Sequence, residues 1–199
     1  DYIFHIILDP SYKSEFQFLS SLANMFGIKP NSRSTLDYRE EIERYLFKKG
    51  VDENKTVVLL IDEGQKLSAS FLEILRIFLN YETNEYKLLQ LVIVSQMELL
   101  PKIKKIKNFY DRIGLKYIIN PLDEKETKEM ILFRLKAAGA EDPKKLFTDG
   151  AIKLIFGYGE GYPRKTSMLC HDAMEFLVMN GKAVVDESVI REVANRMAI

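Results

Sequence analysis

The chain has 199 residues and a formal net charge of zero, because 29 lysines and arginines balance 29 aspartates and glutamates. This balance excludes an overall field that attracts nucleic acid or an acidic membrane surface, so any such contact has to be local. Hydrophobic residues make up 47% of the sequence. That fraction is enough for the core of one domain, or of one domain with a small appendage.

Cysteine usage and the apolar pattern indicate a cytoplasmic protein whose residues do not enter a membrane. Cys170 is the single cysteine, so no internal disulfide can form, and no cluster of cysteine and histidine has the spacing of a zinc site. No apolar run approaches the roughly 20 residues of a membrane-spanning helix. The first residues also lack the basic start of a signal peptide.

Four short apolar runs rich in β-branched residues predict β-strands, at Tyr2 to Leu8, Thr56 to Ile61, Leu88 to Val94 and Leu115 to Ile119. Their hydrophobicity is nearly continuous, which is typical of strands that are buried on both faces. The sequence therefore predicts an α/β fold with a parallel sheet covered by helices. Because the first run begins at the second residue, we expect the chain to start within a fold.

Helical patterns fill the rest of the sequence. Those between the strands lie at Ser14 to Phe26, Thr35 to Lys49 and Ser68 to Asn80. After Pro121 only helical patterns follow, at Asp123 to Ala138, Thr148 to Phe156, Pro163 to Met179 and Asp186 to Met197. Asp123 and Glu126 have the spacing of a capping box. The sequence thus predicts an α/β part, residues 1–120, followed by a small all-α part, residues 121–199.

An apolar strand that ends in two adjacent carboxylates, Asp62 and Glu63, is the strongest local signal. Open α/β sheets bind ligands at the carboxyl ends of their strands. Adjacent residues on an extended backbone point to different sides, so the two carboxylates can act separately. In a nucleotide hydrolase the aspartate helps to hold hydrated Mg²⁺ and the glutamate polarises the attacking water. The alternative is a structural role as a cap on the helix that follows.

Two arginines have contexts that indicate contact with an anion or with a neighbouring subunit. Pro163 opens a predicted helix whose first turn carries Arg164, where a cation faces the positive end of the helix dipole. A bound phosphate would explain it, and a solvated basic turn is the alternative. Arg112 lies between residues that are expected to pack, so it could point at a neighbouring subunit. A salt bridge with Asp111 or Glu98 is the alternative there.

Together these segments resemble AAA+ ATPases, and in particular the ExeA-like proteins of type II secretion and the related pilus-biogenesis ATPases. The matching segments are Val58 to Leu67 (VLLIDEGQKL), Leu72 to Gln90, Leu91 to Leu99 (LVIVSQMEL), Asp111 to Ile113, Pro121 to Gly139 and Gly161 to Cys170 (GYPRKTSMLC). The resemblance implies a P-loop NTPase-type sheet, a helical lid, ATP and Mg²⁺ as cofactors, and association between subunits. It also implies a role in assembling an envelope secretion or pilus complex, at the cytoplasmic face of the inner membrane.

The resemblance implies a role for each candidate residue. Asp62 and Glu63 are the Walker B pair, with Asp62 on the metal ion and Glu63 on the attacking water. Gln96, at the end of the third predicted strand, is sensor 1. Arg112 is the arginine finger that acts on a neighbouring subunit, and Arg164 is sensor 2.

The sequence departs from this family at several positions. Gly64 stands where alanine is usual, and Ser95 and Met97 replace a glycine and a proline beside sensor 1. More seriously, no Gly-x-x-x-x-Gly-Lys-Ser/Thr motif occurs in the sequence, so the backbone cradle and the lysine for the phosphates are absent. We expect this chain to be inactive alone, and the natural protein to continue upstream by about 40 to 60 residues, one βα unit plus a lead-in. The strand of that unit is expected between Leu88 to Val94 and Leu115 to Ile119.

Two other functions stay open. ATPases with very similar motifs accompany transposases, and a local basic cluster would suit a DNA-associated regulator of transposition, although the same lysines suit a solvated helix face. This cluster lies beside Phe109 and Tyr110 and consists of Lys102, Lys104, Lys105 and Lys107. The other function is a scaffold that truly lacks a P-loop. The joint presence of the candidate carboxylates and arginines argues against it.

Overall fold

The computed structural model describes residues 1–29, 34–83 and 86–197, which fold into two compact units. The first unit is Asp1–Lys116 and the second is Tyr117–Ile199, whereas the sequence predicted a boundary between residues 120 and 121. Residues 84–85, inside one segment that carries the family resemblance, and residues 198–199, at the end of the predicted helical part, lie outside the described residues.

Three parallel strands form the sheet of the first unit: β1 (Tyr2–Ile7), β2 (Thr56–Ile61) and β3 (Leu89–Ile93). β2 lies in the centre, because Val58 pairs with Phe4 of β1 on one side and with Gln90 of β3 on the other. The predicted parallel sheet is confirmed, and the first three predicted strands begin and end close to the observed bounds.

The fourth predicted strand, Leu115 to Ile119, is wrong. These residues form no strand, and the side chains of Leu115 and Ile119 are 83% and 84% exposed. A strand needs a neighbouring strand for its backbone N–H and C=O groups, and no strand of the described residues pairs with this segment. Its apolar composition therefore does not make it part of the sheet.

Five helices complete the part of the first unit that the structure describes. They are α1 (Glu15–Met25), α2 (Thr35–Phe47), α3 (Ala69–Phe78), α4 (Leu99–Lys105) and α5 (Lys107–Tyr110). The first three are capped at their N-termini by Ser14, Ser34 and Ser68. The side chain of each serine accepts a hydrogen bond from the backbone N–H three residues further on. α2 runs directly into a π-helical turn, Lys48–Asp52.

One face of the sheet is buried. Val57, Leu59 and Ile61 of β2 are fully buried, in a core that they share with Phe18 of α1 and Leu72 of α3. Burying such side chains stabilises the fold by roughly 1.5 to 3 kcal/mol each. This face accounts for alternate residues of the hydrophobic runs from which the strands were predicted.

The opposite face of the sheet is not covered by any described residue of the first unit. Tyr2, Phe4 and Ile6 of β1 point to it and are 69%, 67% and 54% exposed, and Val92 of β3 is 45% exposed. The prediction that the strands are buried on both faces is therefore wrong for this face. We call these four side chains the open sheet face.

The second unit is all-α, as predicted. Its helices are α6 (Glu124–Ala137), α7 (Pro143–Leu146), α8 (Asp149–Gly159), α9 (Pro163–Asn180) and α10 (Glu187–Met197). Asp123 caps α6, and Asp123 and Glu126 form the predicted capping box. Ile155, Leu169 and Val189 lie in the core between α8, α9 and α10. Of the helices in the described ranges, none combines the length and apolar character needed to cross a membrane.

Candidate functional site

β2 delivers Asp62 and Glu63 to the carboxyl edge of the sheet, where both are partly exposed. Pairing between strands continues past the end of β2. The N–H of Asp62 donates to the carbonyl of Ile7, and the N–H of Val94 donates to the carbonyl of Ile61, both at 2.8 Å. Hydrogen bonds to both neighbouring strands thus fix the backbone that carries the two carboxylates.

The alternative role for this pair, a cap on the following helix, is wrong. A 3₁₀ turn, Gly64–Lys66, follows Glu63, and α3 begins only at Ala69 with Ser68 as its cap. Glu63 makes no side-chain hydrogen bond that caps the turn. Asp62 Oδ1 accepts the N–H of Glu63 at 2.7 Å, and its other carboxylate oxygen accepts no hydrogen bond from the described part of the chain.

The turn after β2 is strained at Glu63 and tightly packed at Gly64. Glu63 has a φ of 52°, in the left-handed region, which costs a residue with a Cβ about 1 to 2 kcal/mol. Gly64 donates its N–H to the carbonyl of Val94 at 2.9 Å, and a Cβ at Gly64 would lie 2.3 Å from Cγ2 of Ile93. Glycine in place of the family's usual alanine therefore lets the turn lie directly against the end of β3.

Gln65 connects Glu63 to the end of β3, and the sequence did not single it out. Its Nε2 donates to Glu63 Oε2 at 2.6 Å, and its Oε1 accepts the backbone N–H of Gln96 at 3.1 Å. The residue is only 9% exposed, so the buried amide is satisfied at both ends. A glutamine two residues after the pair of carboxylates was the available signal, but its partner Gln96 lies 31 residues further along the chain.

The structure thus brings four polar residues together at this edge: Asp62, Glu63, Gln65 and Gln96. Gln96 lies in the turn between β3 and α4, and its side chain is exposed. Lys102 of α4 fixes the same region from the other side, because its Nζ donates to the carbonyl oxygen of Gln65 at 2.5 Å.

An ion pair between Lys66 and Asp9 ties the 3₁₀ turn to the loop after β1. Lys66 Nζ lies 2.9 Å from Asp9 Oδ2. Hydrogen bonds from Ser11 and then from Lys66 lower the pKa of the Asp9 carboxyl, and the hydrogen bond with Asp9 raises the pKa of Lys66. Both groups are exposed, so water screens the interaction, and it acts as a local restraint on the turn.

Arg112 is held by neutral acceptors. Its Nε donates to Asn80 Oδ1 at 3.0 Å and its Nη1 donates to the carbonyl of Asn108 at 2.7 Å. The alternative interpretation as a salt bridge with Asp111 or Glu98 is wrong, because Arg112 has no carboxylate of the described residues within ion-pair distance. Its guanidinium is exposed, and no hydrogen bond among the described residues joins it to the carboxylate cluster.

Arg164 lies in the second unit, in the first turn of α9. Gly161, with a φ of 72°, makes the turn before α9, and a Cβ there would lie 2.0 Å from the carbonyl oxygen of Leu122. Lys165 is paired with Glu160 at 2.7 Å. Arg164 is exposed and, among the described residues, has no ion pair, so its charge is available to a ligand.

A groove beside Arg164 contains a second arginine. Arg134 of α6 donates from Nη1 to Ser167 Oγ at 2.5 Å, and the Ser167 hydroxyl donates to the carbonyl of Pro163 at 2.6 Å. One described group, on α9, has ligand atoms close enough to share a metal ion: His171, Asp172 and Glu175. Two of these three side chains are exposed. The sequence had not marked this group, because its spacing is not that of a zinc motif.

The residues at the sheet edge fit a magnesium ion and only part of a nucleotide site. Mg²⁺ takes carboxylate oxygens, water and substrate phosphates as ligands, and Asp62 has an oxygen with no donor from the described residues. For the phosphate chain the sequence offers no glycine-rich cradle with its lysine. A candidate metal ligand and a candidate base are therefore present, whereas the sequence contains no loop of this kind for the phosphates.

Comparison with known proteins identifies the family. Residues 1–103 match the AAA domain family. The chain belongs to this family. It is 30% identical over 170 residues to general secretion pathway protein A of Aeromonas hydrophila. The matched region covers 84% of this chain and 30% of that protein. The resemblance drawn from the sequence is confirmed, and the chain is an AAA+ ATPase module related to that protein.

Solved structures show the same fold at low sequence identity. ORC2 of Aeropyrum pernix, in ADPNP and ADP complexes, has a TM-score of 0.66 at 16% identity, over 98% of this chain and 52% of that one. Cdc6p of Pyrobaculum aerophilum has a TM-score of 0.67 at 13% identity, over 97% of this chain and 52% of that one. The AAA domain described here thus spans about a third of its secretion relative and about half of these structures.

Proposed function

We propose that this chain is the greater part of an ATP-hydrolysing module, which in the intact protein cleaves ATP with Mg²⁺ at the contact between neighbouring subunits. The cluster at the end of β2 supports this most. Asp62 and Glu63 project from the sheet edge, and Gln65 connects Glu63 to the sensor 1 position, Gln96. Two partly exposed carboxylates on a strained turn are typical of a functional site and cost stability in a merely structural one.

In this proposal each candidate residue has one role. Asp62 holds hydrated Mg²⁺, which when bound neutralises charge on the phosphates. Glu63 accepts a proton from the attacking water. Gln96 uses its exposed amide to bind the terminal phosphate and orient the water. Arg112 is the arginine finger for a neighbouring subunit and Arg164 is sensor 2, each acting on phosphate oxygens.

The electrostatics of the two arginines support these roles. Arg112 is bound only to an amide oxygen and a backbone carbonyl, and Arg164 makes no ion pair with a described carboxylate. Neither positive charge is cancelled within the described residues. Each guanidinium is therefore free to form bidentate hydrogen bonds with phosphate oxygens.

The proposal requires a phosphate-binding loop that the 199 residues do not contain. We expect this loop in a further βα unit of the natural protein, about 40 to 60 residues long, and expect the present chain to be inactive without it. The open sheet face supports this, because Tyr2, Phe4, Ile6 and Val92 offer an apolar surface on which a helix of such a unit would pack.

The family relationship supports a proposal for the biological role. Similarity to general secretion pathway protein A favours an ATPase whose cycle drives assembly of an envelope secretion or pilus complex. Its partners would be the proteins of that complex and further copies of itself. It would act in the cytoplasm, at the cytoplasmic face of the inner membrane.

Replacement of the candidate base tests the mechanism. In the full-length natural protein, Glu63→Gln should lower the rate of ATP hydrolysis by about 100-fold or more and leave ATP binding nearly unchanged. Glu98→Gln is the matched control, because Glu98 is an exposed acid of the same unit outside the cluster. Phosphate release and nucleotide affinity are the two measurements.

Two outcomes would contradict the proposal. If Glu63→Gln hydrolysed ATP as fast as the wild type, Glu63 would not be the base. If the wild-type natural protein hydrolysed no ATP under any condition that saturates it with Mg²⁺ and nucleotide, the module would be a scaffold. The 199-residue chain, assayed alongside, should show no hydrolysis above the buffer background.

A DNA-associated ATPase is the second candidate function, and one observation favours it. The exposed lysines of the basic cluster have no ion pair among the described residues, although many lysines and arginines elsewhere in the chain do. DNA binding should weaken steeply with salt and with charge reversal at Lys104, Lys105 and Lys107, but not at the exposed control set Lys136, Lys144 and Lys153. Fluorescence anisotropy with a labelled duplex measures both effects. Equal loss in the two sets would leave this function without support.

A further inference from the structure

Gln65 differs from the other residues of the cluster because it is buried while it contacts two of them. A glutamine amide has a donor end and an acceptor end. Its Oε1 faces the backbone N–H of Gln96, which can only donate, so its Nε2 has to face Glu63. The orientation of the amide is therefore set by the backbone of another element.

The contact with Glu63 is short and charge-assisted. Nε2 lies 2.6 Å from Glu63 Oε2, and a donor to an ionised carboxylate forms a stronger hydrogen bond than a donor to a neutral acceptor. Without this contact a partly exposed glutamate rotates freely about its side-chain torsions. With it, one carboxylate oxygen is held and the other can meet a water molecule.

Gln65 is itself fixed at its backbone. Lys102 Nζ donates to the carbonyl oxygen of Gln65 at 2.5 Å, and the neighbouring Gly64 donates to the carbonyl of Val94 at 2.9 Å. Anchors from α4 and from the end of β3 thus hold the turn that carries Gln65. A shift of the segment around Gln96 would move Gln65, and through it Glu63.

We propose that Gln65 is a positioning residue for ATP hydrolysis, which holds the Glu63 carboxylate towards the attacking water and couples it to the segment that carries Gln96. The inference rests on the proposed function, in which Glu63 is the base and Gln96 senses the terminal phosphate. Both ends of the Gln65 amide are bonded to protein groups, so it acts through Glu63.

Two substitutions separate the two hydrogen bonds. Gln65→Met keeps the length and the buried volume of the side chain and removes both bonds. Gln65→Glu keeps an acceptor for the N–H of Gln96 and replaces the donor to Glu63 by a second carboxylate. Gln17→Glu makes the same chemical change at an exposed position on α1, where the side chain also accepts a backbone N–H, and is the matched control.

The expected kinetic result in the full-length natural protein is a loss in kcat rather than in KM. Both Gln65 variants should lower kcat by about tenfold or more with KM within about twofold, because binding groups are untouched and only the base is misplaced. Two facing carboxylates resist ionising together, so kcat of Gln65→Glu should rise at a higher pH than that of the wild type. Gln17→Glu should match the wild type in kcat, KM and pH profile.

Amide hydrogen exchange in the 199-residue chain tests the geometry without any hydrolysis. The Gln96 amide should exchange faster in Gln65→Met and stay protected in Gln65→Glu, since only the latter keeps the acceptor. Unchanged protection in Gln65→Met would overturn the coupling. Hydrolysis by both Gln65 variants at the wild-type rate and pH profile, with Glu63→Gln inactive, would overturn the positioning role and leave the proposed function intact. An active Glu63→Gln would instead overturn the proposed function.

Discussion

The two units present their candidate site residues in opposite ways. In the first unit Glu63 is held by a buried glutamine, on a turn that is tied to β3 and α4. In the second unit Arg164 extends from the first turn of α9 without an ion pair among the described residues. In the proposed function, the group that acts on water is thus restrained by the protein, whereas the group that meets a charged ligand keeps its charge free.

Each arrangement depends on a glycine whose missing Cβ allows a close approach, Gly64 in the first unit and Gly161 in the second. The atoms that they approach differ. A Cβ at Gly161 would meet a backbone carbonyl oxygen, of Leu122, and the residue has a positive φ. A Cβ at Gly64 would meet the side chain of Ile93, and Gly64 is not among the glycines of positive φ. A side chain can move, whereas a backbone oxygen held in a turn cannot.

The largest effect is expected at Gly161. Gly161→Ala should lower the free energy of unfolding of the second unit by about 2 to 4 kcal/mol, because left-handed strain adds to the overlap with Leu122. Gly157→Ala is the matched control in α8, where an added Cβ meets nothing within 4 Å. Gly157→Ala should raise the free energy of unfolding of the second unit by about 0.5 to 1 kcal/mol. Urea unfolding followed by circular dichroism measures both, and equal effects would contradict the argument.

A smaller effect is expected for the free arginine. In the full-length protein Arg164→Gln should lower kcat/KM for ATP by about tenfold, the loss of one charge-assisted contact of about 1.4 kcal/mol. Lys165→Gln removes a charge from the adjacent position, where the lysine is already paired with Glu160, and should change kcat/KM by less than about twofold. Steady-state rates of ATP hydrolysis by the two variants measure this difference. If both variants lost activity equally, general charge and not a specific contact would matter.

The parts of this fold that were predicted correctly depend on local patterns. β2 was recognised because its apolar residues are contiguous, and the Asp123 and Glu126 capping box because its two members lie three residues apart. The segment Leu115 to Ile119 has the same composition as a strand, yet strand formation depends on a partner that composition does not encode. Local signals therefore identify elements, and long-range pairing decides whether they form a sheet.

The candidate site likewise contains residues that local patterns pointed to and residues that only long-range contacts reveal. Asp62 and Glu63 were predicted because the end of a strand is visible in the sequence. Gln65 was not, because its importance lies in a contact with a residue that only the fold brings close. The salt-bridge interpretation of Arg112 failed for the same reason, since the acceptor Asn80 is 32 residues away and neither Asp111 nor Glu98 forms an ion pair with Arg112.

A still smaller effect on stability is expected at Gly64. Gly64→Ala should lower the free energy of unfolding by about 1 kcal/mol, because Ile93 can shift to make room. This loss should be smaller in the background of Ile93→Ala, which removes the side chain that the new Cβ meets. A double-mutant cycle measured by urea unfolding gives this coupling. Additive effects of the two substitutions would show that the contact with Ile93 does not set the need for glycine.

The smallest effect is expected at the ion pair that ties the 3₁₀ turn to the loop after β1. Hydrogen bonds from Ser11 and from Lys66 lower the pKa of Asp9 below the ordinary value for an aspartate, so the stabilisation is present at neutral pH and is lost as the pH falls through the lowered pKa. The hydrogen bond with Asp9 raises the pKa of Lys66 above the ordinary value for a lysine, so the contribution of Lys66 to stability is lost as the pH rises through that raised pKa. Asp9→Asn should therefore unfold slightly more easily than the wild type at pH 7.

The pH dependence separates this restraint from a general effect of charge. The difference between Asp9→Asn and the wild type should shrink to nothing as the pH falls below the lowered pKa of Asp9. Asp52→Asn, at another exposed aspartate of the first unit, serves as the control and should show little difference at any pH. Thermal unfolding across pH 2 to 7 in low salt provides the measurement. A difference that persisted at the acidic end would mean that Asp9 acts through its shape or hydration, and the 3₁₀ turn would then not depend on the charge of its partner.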